Sequence, residues 1–302
     1  MPDYTDVCVL LPTLDEAETI GDVIESFREE GFDRFLVVDG HSTDETRDIA
    51  SEHGARVITQ TGSGKGQAVR EGVAAVERPY VLMLDGDGTY LASDAHTMLE
   101  PLLEGSAEHV IGDRFADMEP GAMSRLNGVG NRIINRSFAF VHGHDFRDIL
   151  SGYRAFTVDS FERMRLDADG FAIETELAVE CAKHDVPTTV VDVTYAERPD
   201  ASDTNLRPFR DGARIVFALY RLAKTNNPLF YFGSVGVTST VAGLLTAVYV
   251  VVEWVTVHVS HNILAVFASF AILLGFQLIM FGVLSDLLVT LHREQLRRLE
   301  DD

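Results

Sequence analysis

Cysteine and lysine are almost missing from this chain. Its two cysteines, Cys8 and Cys181, are too few and too far apart for a disulfide framework or a zinc site, which fits a reducing cytosol and gives neither thiol a catalytic motif. Lysine occurs only at Lys65, Lys183 and Lys224, and positive charge is scarce throughout: 25 Lys and Arg face 47 Asp and Glu, a formal net charge of −22. With no basic domain to release counterions, DNA and RNA are excluded as partners. An acidic, lysine-poor surface suits molar salt instead, where repulsion is screened and hydrated carboxylates keep a protein soluble. The composition therefore points to an extreme halophile, an archaeon, and activity is expected to collapse in dilute buffer. The acidic stretch Met1 to Asp6 has no basic n-region, so no cleaved signal peptide is visible.

Long apolar runs are also absent until Leu229. From there to Val252, and again from Ile263 to Ser285, no charged residue occurs, and each run is long enough to cross a bilayer core of roughly 30 Å. Arg221 and Lys224 precede the first run, Arg293, Arg297 and Arg298 follow the second, and Glu253 to Asn262 between them carries neither Lys nor Arg. The positive-inside rule then predicts a two-span hairpin in the cell membrane, with both termini and the soluble part in the cytoplasm.

The residues before the hairpin alternate short apolar runs with helical patterns. Strands are expected over Val7–Leu11, Phe35–Val38, Arg56–Ile58, Tyr80–Leu84, His109–Gly112 and Thr188–Val193. Helices are expected over Glu16–Glu30, Asp44–Glu52 (capped by Ser42 or Thr43), Gln67–Val76, Ser124–Val141 and Ile173–His184. Strands separated by helices make a doubly wound, mostly parallel α/β sheet. Three predicted strand ends carry polar residues: Thr13 and Glu16, then Asp39, then Asp85 and Asp87. They fall on one edge of the sheet, where such folds bind nucleotides.

The segment Val81-Leu82-Met83-Leu84-Asp85-Gly86-Asp87-Gly88 runs a buried strand into two carboxylates one residue apart. Oxygen ligands of this kind suit Mg²⁺ or Mn²⁺, which complete their shell with water and substrate phosphate. Asp-Gly-Asp-Gly after a strand is also ordinary turn chemistry. Gly62-Ser63-Gly64-Lys65-Gly66-Gln67 lacks the Gly-Lys-Ser/Thr of a Walker A loop, which excludes an ordinary P-loop NTPase. Lys65, among glycines at a helix N-terminus, is placed either for an anion or for solvent. The Ser124–Val141 pattern puts Leu126, Val129, Ile133, Ile134, Phe140 and Val141 on one side, with Arg125, Arg132 and Arg136 along its flank. Such a helix fits a membrane interface, or a core-packing position with a solvated basic edge. A second arginine set, Arg210, Arg214 and Arg221, leads into the first span. The boundaries that follow are 1–205 for the soluble domain, 206–228 for a juxtamembrane amphipathic helix, and 229–302 for the hairpin and its tail.

Taken in order, Leu11 to Glu16, Val37 to Asp44, Gly64-Lys65-Gly66, Leu84 to Thr89, Gly112 to Phe115, Asp148 with Ser151 to Arg154, and Arg210 to Gly212 resemble the inverting, metal-dependent glycosyltransferases of the GT-A fold. Within that fold the likeness is to the dolichyl-phosphate mannosyl- and glucosyltransferases, and in particular to those of haloarchaea that load the first hexose for N-glycosylation of surface-layer protein. The resemblance implies a GT-A catalytic domain, Rossmann-like, ahead of the transmembrane hairpin. It implies that Pro12, Thr13, Glu16 and Asp39 hold the nucleoside, that Lys65 approaches the base or ribose, and that Asp85 and Asp87 hold Mg²⁺ or Mn²⁺ and the donor diphosphate. Arg114 and Arg198 would face phosphates, and Arg125 and Arg132 join them as candidates for holding a dolichyl (polyprenyl) phosphate acceptor. Asp148 would orient the acceptor, act as a base, or serve a structural role. Three positions depart from the family pattern: Gly40 replaces a second Asp, Thr89 a metal-ligating Gln, and Thr204-Asn205-Leu206 a Ser-Lys-Leu. The last loses a phosphate-binding lysine and shifts that work to arginine, the better bidentate partner.

The expected reaction is transfer of glucose from UDP-glucose to dolichyl phosphate with inversion, the first step of lipid-linked glycan assembly. GDP-mannose is the alternative donor and a lipid-linked sugar hydroxyl the alternative acceptor. A processive synthase is disfavoured because the only tryptophan, Trp254, lies in the membrane region rather than in a Gln-x-x-Arg-Trp motif. A transporter is disfavoured because two spans with almost no internal polar groups offer no path.

Overall fold

The computed structural model describes residues 4–168, 170, 172–198, 220 and 227–300, the stretch 292–300 through its backbone only. The chain divides into two compact units, Met1–Leu219 and Tyr220–Asp302. The expected juxtamembrane helix lies outside the described residues apart from Tyr220, Asn227 and Pro228, as do Arg210, Arg214, Arg221 and the Thr204–Leu206 departure.

The first unit is built on seven strands: β1 (Val7–Thr13), β2 (Phe35–Asp39), β3 (Arg56–Thr59), β4 (Tyr80–Met83), β5 (His109–Met118), β6 (Arg154–Thr157) and β7 (Thr188–Tyr195). Its helices are α1 (Ile20–Glu29), α2 (Thr46–Glu52), α3 (Lys65–Ala75), α4 (Ala95–Leu103), α5 (Arg125–His142), α6 (Val158–Glu162) and α7 (Ile173–Lys183). The sheet order is β3-β2-β1-β4-β6-β5-β7. Every residue of β1 and β2 is buried, as central strands covered on both faces require. β1 runs parallel to β2 and β4, β2 to β3, and β5 to β7.

The sheet is mostly parallel, with one departure from the sequence reading. β6, which no apolar run marked, inserts antiparallel to both β4 and β5. Its first residue, Arg154, is fully buried, so its polar side chain masked the strand pattern. Four-residue strands leave periodicity little to register. The cap of α2 also differs. Neither Ser42 nor Thr43 caps it: the Ser42 hydroxyl accepts from Asp15 N–H at 2.9 Å, and Thr43 donates from its backbone to Asp15 Oδ1 at 2.7 Å. Asp44 takes the Thr46 N–H instead, at 3.1 Å.

The core lies between the sheet and α1 and α4, where Val9, Leu11, Ile24, Phe27, Leu82, Leu99 and Tyr153 pack together. Burying a side chain such as Phe27 stabilises the fold by roughly 1.5–3 kcal/mol. α5 divides its apolar residues. Ile134, Phe138 and Val141 are buried, whereas Leu126, Val129, Ile133 and Phe140 are exposed together with Arg125, Arg132 and Arg136.

The second unit contains α8 (Pro228–Thr256) and α9 (Asn262–Glu300). Pro228–Thr256 and Asn262–Leu291 are each long and apolar enough to cross a membrane, and most of their large apolar side chains are exposed. The two helices touch where side chains vanish. A Cβ on Gly236 would lie 2.7 Å from the Gly275 carbonyl, and one on Gly243 would lie 2.8 Å from that of Ala268. Ser239 Oγ donates across the pair to the Ala271 carbonyl at 2.8 Å. Small residues and interhelical hydrogen bonds are what associate helices in lipid, where apolar burial gives no drive.

Candidate active site

From β1 the chain winds outward through β2 and β3, then returns to β4 on the other side of β1. The crevice between the carboxyl ends of β1 and β4 is therefore the topological switch point, where open α/β sheets bind ligands. Thr13 ends β1 there, and Asp85 and Asp87 follow β4. The two ends are clasped: Thr19 Oγ1 donates to the Gly86 carbonyl at 2.6 Å, and a Cβ on Gly86 would come within 2.9 Å of Thr13 Cγ2.

Both aspartates meet a cation. Lys65 Nζ pairs with Asp85 Oδ1 and lies 2.6 Å from Glu174 Oε1, and Arg198 Nη2 pairs with Asp87 Oδ2. Lys65 reaches them because Gly64, with φ of 94° in the region that favours glycine, turns the chain into α3. Burial by itself would lower the Lys65 ammonium, but Asp85 and Glu174 outweigh it and hold the group above the ordinary lysine value. Asp87 also folds its own turn, accepting from the Thr89 hydroxyl at 2.6 Å. Thr89 thus holds Asp87 in place through both its backbone N–H and its hydroxyl.

Glu16 stands beside this pair. Burial first, then the Asp87 carboxylate, raise it to about 7 against the pull of Arg198, with Asp85 adding to the rise. Among the described residues one of its oxygens, Oε2, is buried without a hydrogen-bond partner, as are Thr13 Oγ1 and Gln60 Oε1. Unpartnered buried polar atoms around a crevice are what a polar ligand would satisfy. Asp39, by contrast, is engaged: its Oδ2 accepts from His41 N–H at 3.0 Å and from Ser42 N–H at 3.2 Å. Pro12, opposite Val38 in the β1–β2 ladder, brings the β1 end alongside Asp39.

A buried ion pair forms the floor. Arg114 Nε donates to Asp148 Oδ2 at 2.6 Å and Nη2 to Oδ1 at 2.9 Å, and the guanidinium lies 5.4 Å from the centre of the Tyr195 ring. Burial alone would lower the Arg114 guanidinium; Asp148 reverses this and holds it well above the usual value. Asp148 thereby anchors the loop that runs to Gly152, whose N–H donates to Tyr90 Oη at 3.0 Å. A Cβ at Gly152 would lie 2.5 Å from Asp85 Oδ2 and 3.0 Å from Lys65 Nζ, so any larger residue here would push the Asp85 carboxylate aside. Arg125 and Arg132 stand elsewhere, exposed on α5, with Arg132 over the Phe115 ring at 5.8 Å.

Two carboxylates are too few for an all-protein cation cage, and among the described residues no group of three or more His, Cys, Asp or Glu is arranged to hold a metal. The pair nevertheless fits Mg²⁺ or Mn²⁺, which keep several positions for phosphate and water. Each carboxylate already accommodates a positive charge at contact.

A sequence profile described as "Glycosyl transferase family 2" matches residues 8–165, more than half of the chain. The chain belongs to glycosyl transferase family 2. Among its relatives, "Glycosyltransferase AglJ" of Haloferax volcanii is 65% identical over 302 residues, which is 100% of this chain and 99% of that protein. "Dolichyl-phosphate hexose transferase" of the same organism is 34% identical over 221 residues, covering 71% of this chain and 93% of the relative. The fold matches crystal structures of glucosyl-3-phosphoglycerate synthase from Mycobacterium tuberculosis at a TM-score of 0.59 and 23% identity, over 72% of this chain and 79% of that one. That synthase was crystallised with Mn²⁺, UDP-glucose and phosphoglyceric acid. The chain is thus a glycosyltransferase of the GT-A fold, as the resemblance of its ordered motifs implied.

Glu174, Gly152, Tyr90 and Tyr195 touch these residues and were not among the expected site residues. Glu174 was legible only as one acidic residue of a helix. Its role depends on α7 meeting α3, a contact between residues far apart in sequence.

Proposed function

We propose that this glycosyltransferase moves glucose from UDP-glucose to dolichyl phosphate with inversion, as the first step of lipid-linked glycan assembly for protein N-glycosylation. The observation that carries the reading is the Asp85–Asp87 pair at the switch point of the sheet, each carboxylate matched to a cationic side chain. The kinship with a dolichyl-phosphate hexose transferase supports the acceptor, and the UDP-glucose complex of a structural neighbour supports the donor.

Thr13, Glu16 and Gln60 offer unpartnered polar atoms to the nucleoside, beside Pro12 and Asp39. Lys65 and Arg198 would donate to diphosphate oxygens. A divalent cation on Asp85 and Asp87 would neutralise the charge that builds on the leaving diphosphate. An acceptor phosphate oxygen forms a bond to the anomeric carbon as the bond from that carbon to the diphosphate breaks on the opposite face, which inverts an α-linked donor to a β-linked product. A lipid phosphate is already ionised and needs no base. This suits a site whose Asp148 carboxylate is occupied by Arg114, and it disfavours a sugar hydroxyl acceptor. On α5 the exposed Leu126, Val129 and Ile133 beside Arg125 and Arg132 suit a lipid headgroup interface, and the α8–α9 hairpin serves as the membrane anchor with both ends cytoplasmic.

The test is an extraction assay on full-length protein in molar KCl with Mg²⁺ or Mn²⁺, dolichyl phosphate and radiolabelled UDP- or GDP-sugars. Label should enter the organic phase from UDP-glucose and vanish with EDTA or with Asp87→Ala. Label from GDP-mannose alone would replace the donor, and no label from any sugar in folded protein would reject the acceptor.

A further inference from the structure

Glu174 has no part in the transfer set out above, yet it is built into the site. It lies in the first turn of α7, its side chain is 5% exposed, and Lys65, 11% exposed, is 2.6 Å from its Oε1. Lys65 is its only ion-pair partner among the described residues. Its backbone is fixed as well: Arg154 Nη2 donates to the Glu174 carbonyl at 2.9 Å and to that of Ile149 at 2.7 Å, and Nε donates to that of Ser151 at 3.0 Å. The buried Arg154 thus ties the start of α7 to the loop that carries Gly152, and Gly152 gives Asp85 and Lys65 the room to meet.

Lys65 therefore sits between two carboxylates, one with a use in metal binding and one with none. Asp85, Asp87 and Glu174 against Lys65 and Arg198 leave one net negative charge, 3 − 2. A divalent cation would reverse that balance and a diphosphate would restore it, and the cation could take Asp85 Oδ1 only once Lys65 had withdrawn from it. We propose that Glu174 is a positioning residue that receives Lys65: the ammonium serves as counter-ion of Asp85 until a divalent cation takes its place, then shifts onto Glu174 and the donor diphosphate. The inference rests on reading Asp85 and Asp87 as the metal carboxylates. It makes metal and nucleotide bind cooperatively, by the same factor in either order.

The experiment measures Mn²⁺ affinity by electron paramagnetic resonance of free Mn²⁺, on full-length protein in molar KCl, with and without UDP. Wild type should gain about tenfold or more in Mn²⁺ affinity when UDP is present. Glu174→Gln should bind Mn²⁺ alone about tenfold more weakly, because Lys65 is left to Asp85. Lys65→Met should bind it about tenfold more tightly and lose most of the UDP effect. In the Lys65→Met background Glu174→Gln should change affinity by no more than about twofold, the signature of a residue acting through its partner. An equal effect of Glu174→Gln in both backgrounds would overturn the proposal, since Glu174 would then act as a plain charge or ligand. Should Lys65→Met alone fail to fold, the neutral pair Lys65→Met/Glu174→Gln decides against wild type: tighter Mn²⁺ supports the handover, unchanged Mn²⁺ refutes it. Absence of both Mn²⁺ and UDP binding in wild type would instead sink the metal-site reading and the handover with it.

Discussion

The role of Asp148 can be decided by unfolding rather than by kinetics alone. Its carboxylate is fully buried and accepts both guanidinium bonds of Arg114, itself buried, plus the Arg114 backbone N–H at 3.3 Å. Asp148→Asn would leave the Arg114 charge without a counter-charge in that interior, at a cost of about 3–5 kcal/mol. At about 2–4 °C per kcal/mol for a domain of this size, the melting temperature should fall by about 6–20 °C. Molar salt will not mask this, because buried pairs are weakly screened. Trp254 lies on α8, so tryptophan fluorescence does not report on the catalytic unit. Near-ultraviolet circular dichroism is the assay, read from Tyr90, Tyr153 and Tyr195, whose rings pack at 5.0 and 5.5 Å. Arg114→Met and Asp148→Leu should each destabilise, while the double variant should recover much of the loss, since an apolar pair can replace a buried ion pair at little cost. Additive losses in the double variant would refute the pairing argument. So would Asp148→Asn with unchanged melting and transfer slowed about 10²–10⁴-fold, the pattern of a general base.

Three further outcomes are expected. Gly152→Ala should lower kcat/KM about 10²-fold with little change in melting, because its Cβ displaces the Asp85 carboxylate while the backbone stays on Tyr90; unchanged kinetics would refute this. Glu16, raised by burial to about 7 in the folded protein from an ordinary 4.5, keeps its proton longer folded than unfolded, so it lends stability below about pH 4.5 that is lost as pH rises towards 7. In EDTA, Glu16→Gln should flatten that part of the melting profile, and superimposable profiles would count against a buried, raised carboxyl. Gly275→Leu should drive the helix side chain into Thr240 Oγ1 and the Gly236 carbonyl, costing about 1–3 kcal/mol of hairpin stability. Trp254 fluorescence in detergent reports that loss, and an unmoved transition would contradict the packing described.

The sequence by itself determined the features whose signals are local. Twenty-odd apolar residues without charge read as spans because bilayer thickness demands that length. Buried strands such as Val7–Thr13 and Phe35–Asp39 are continuous apolar runs, so their ends, with Thr13, Asp39, Asp85 and Asp87, could be placed on one edge before any contact was known. What only the tertiary structure decided is which charge meets which. Lys65 finds Asp85 and Glu174, Arg198 finds Asp87, and Arg114 closes on Asp148 across separations that no periodicity encodes. The same holds for β6, whose buried arginine is tolerable only because the carbonyls of residues 149, 151 and 174 and the His109 ring converge on it. It holds too for α5, where Leu126, Val129, Ile133, Ile134, Phe140 and Val141 read as one face until the fold covered Ile134 and Val141 and left Ile133 exposed. Burial and counter-charge are properties of neighbours in space, and a chain acquires those only when distant segments are brought together.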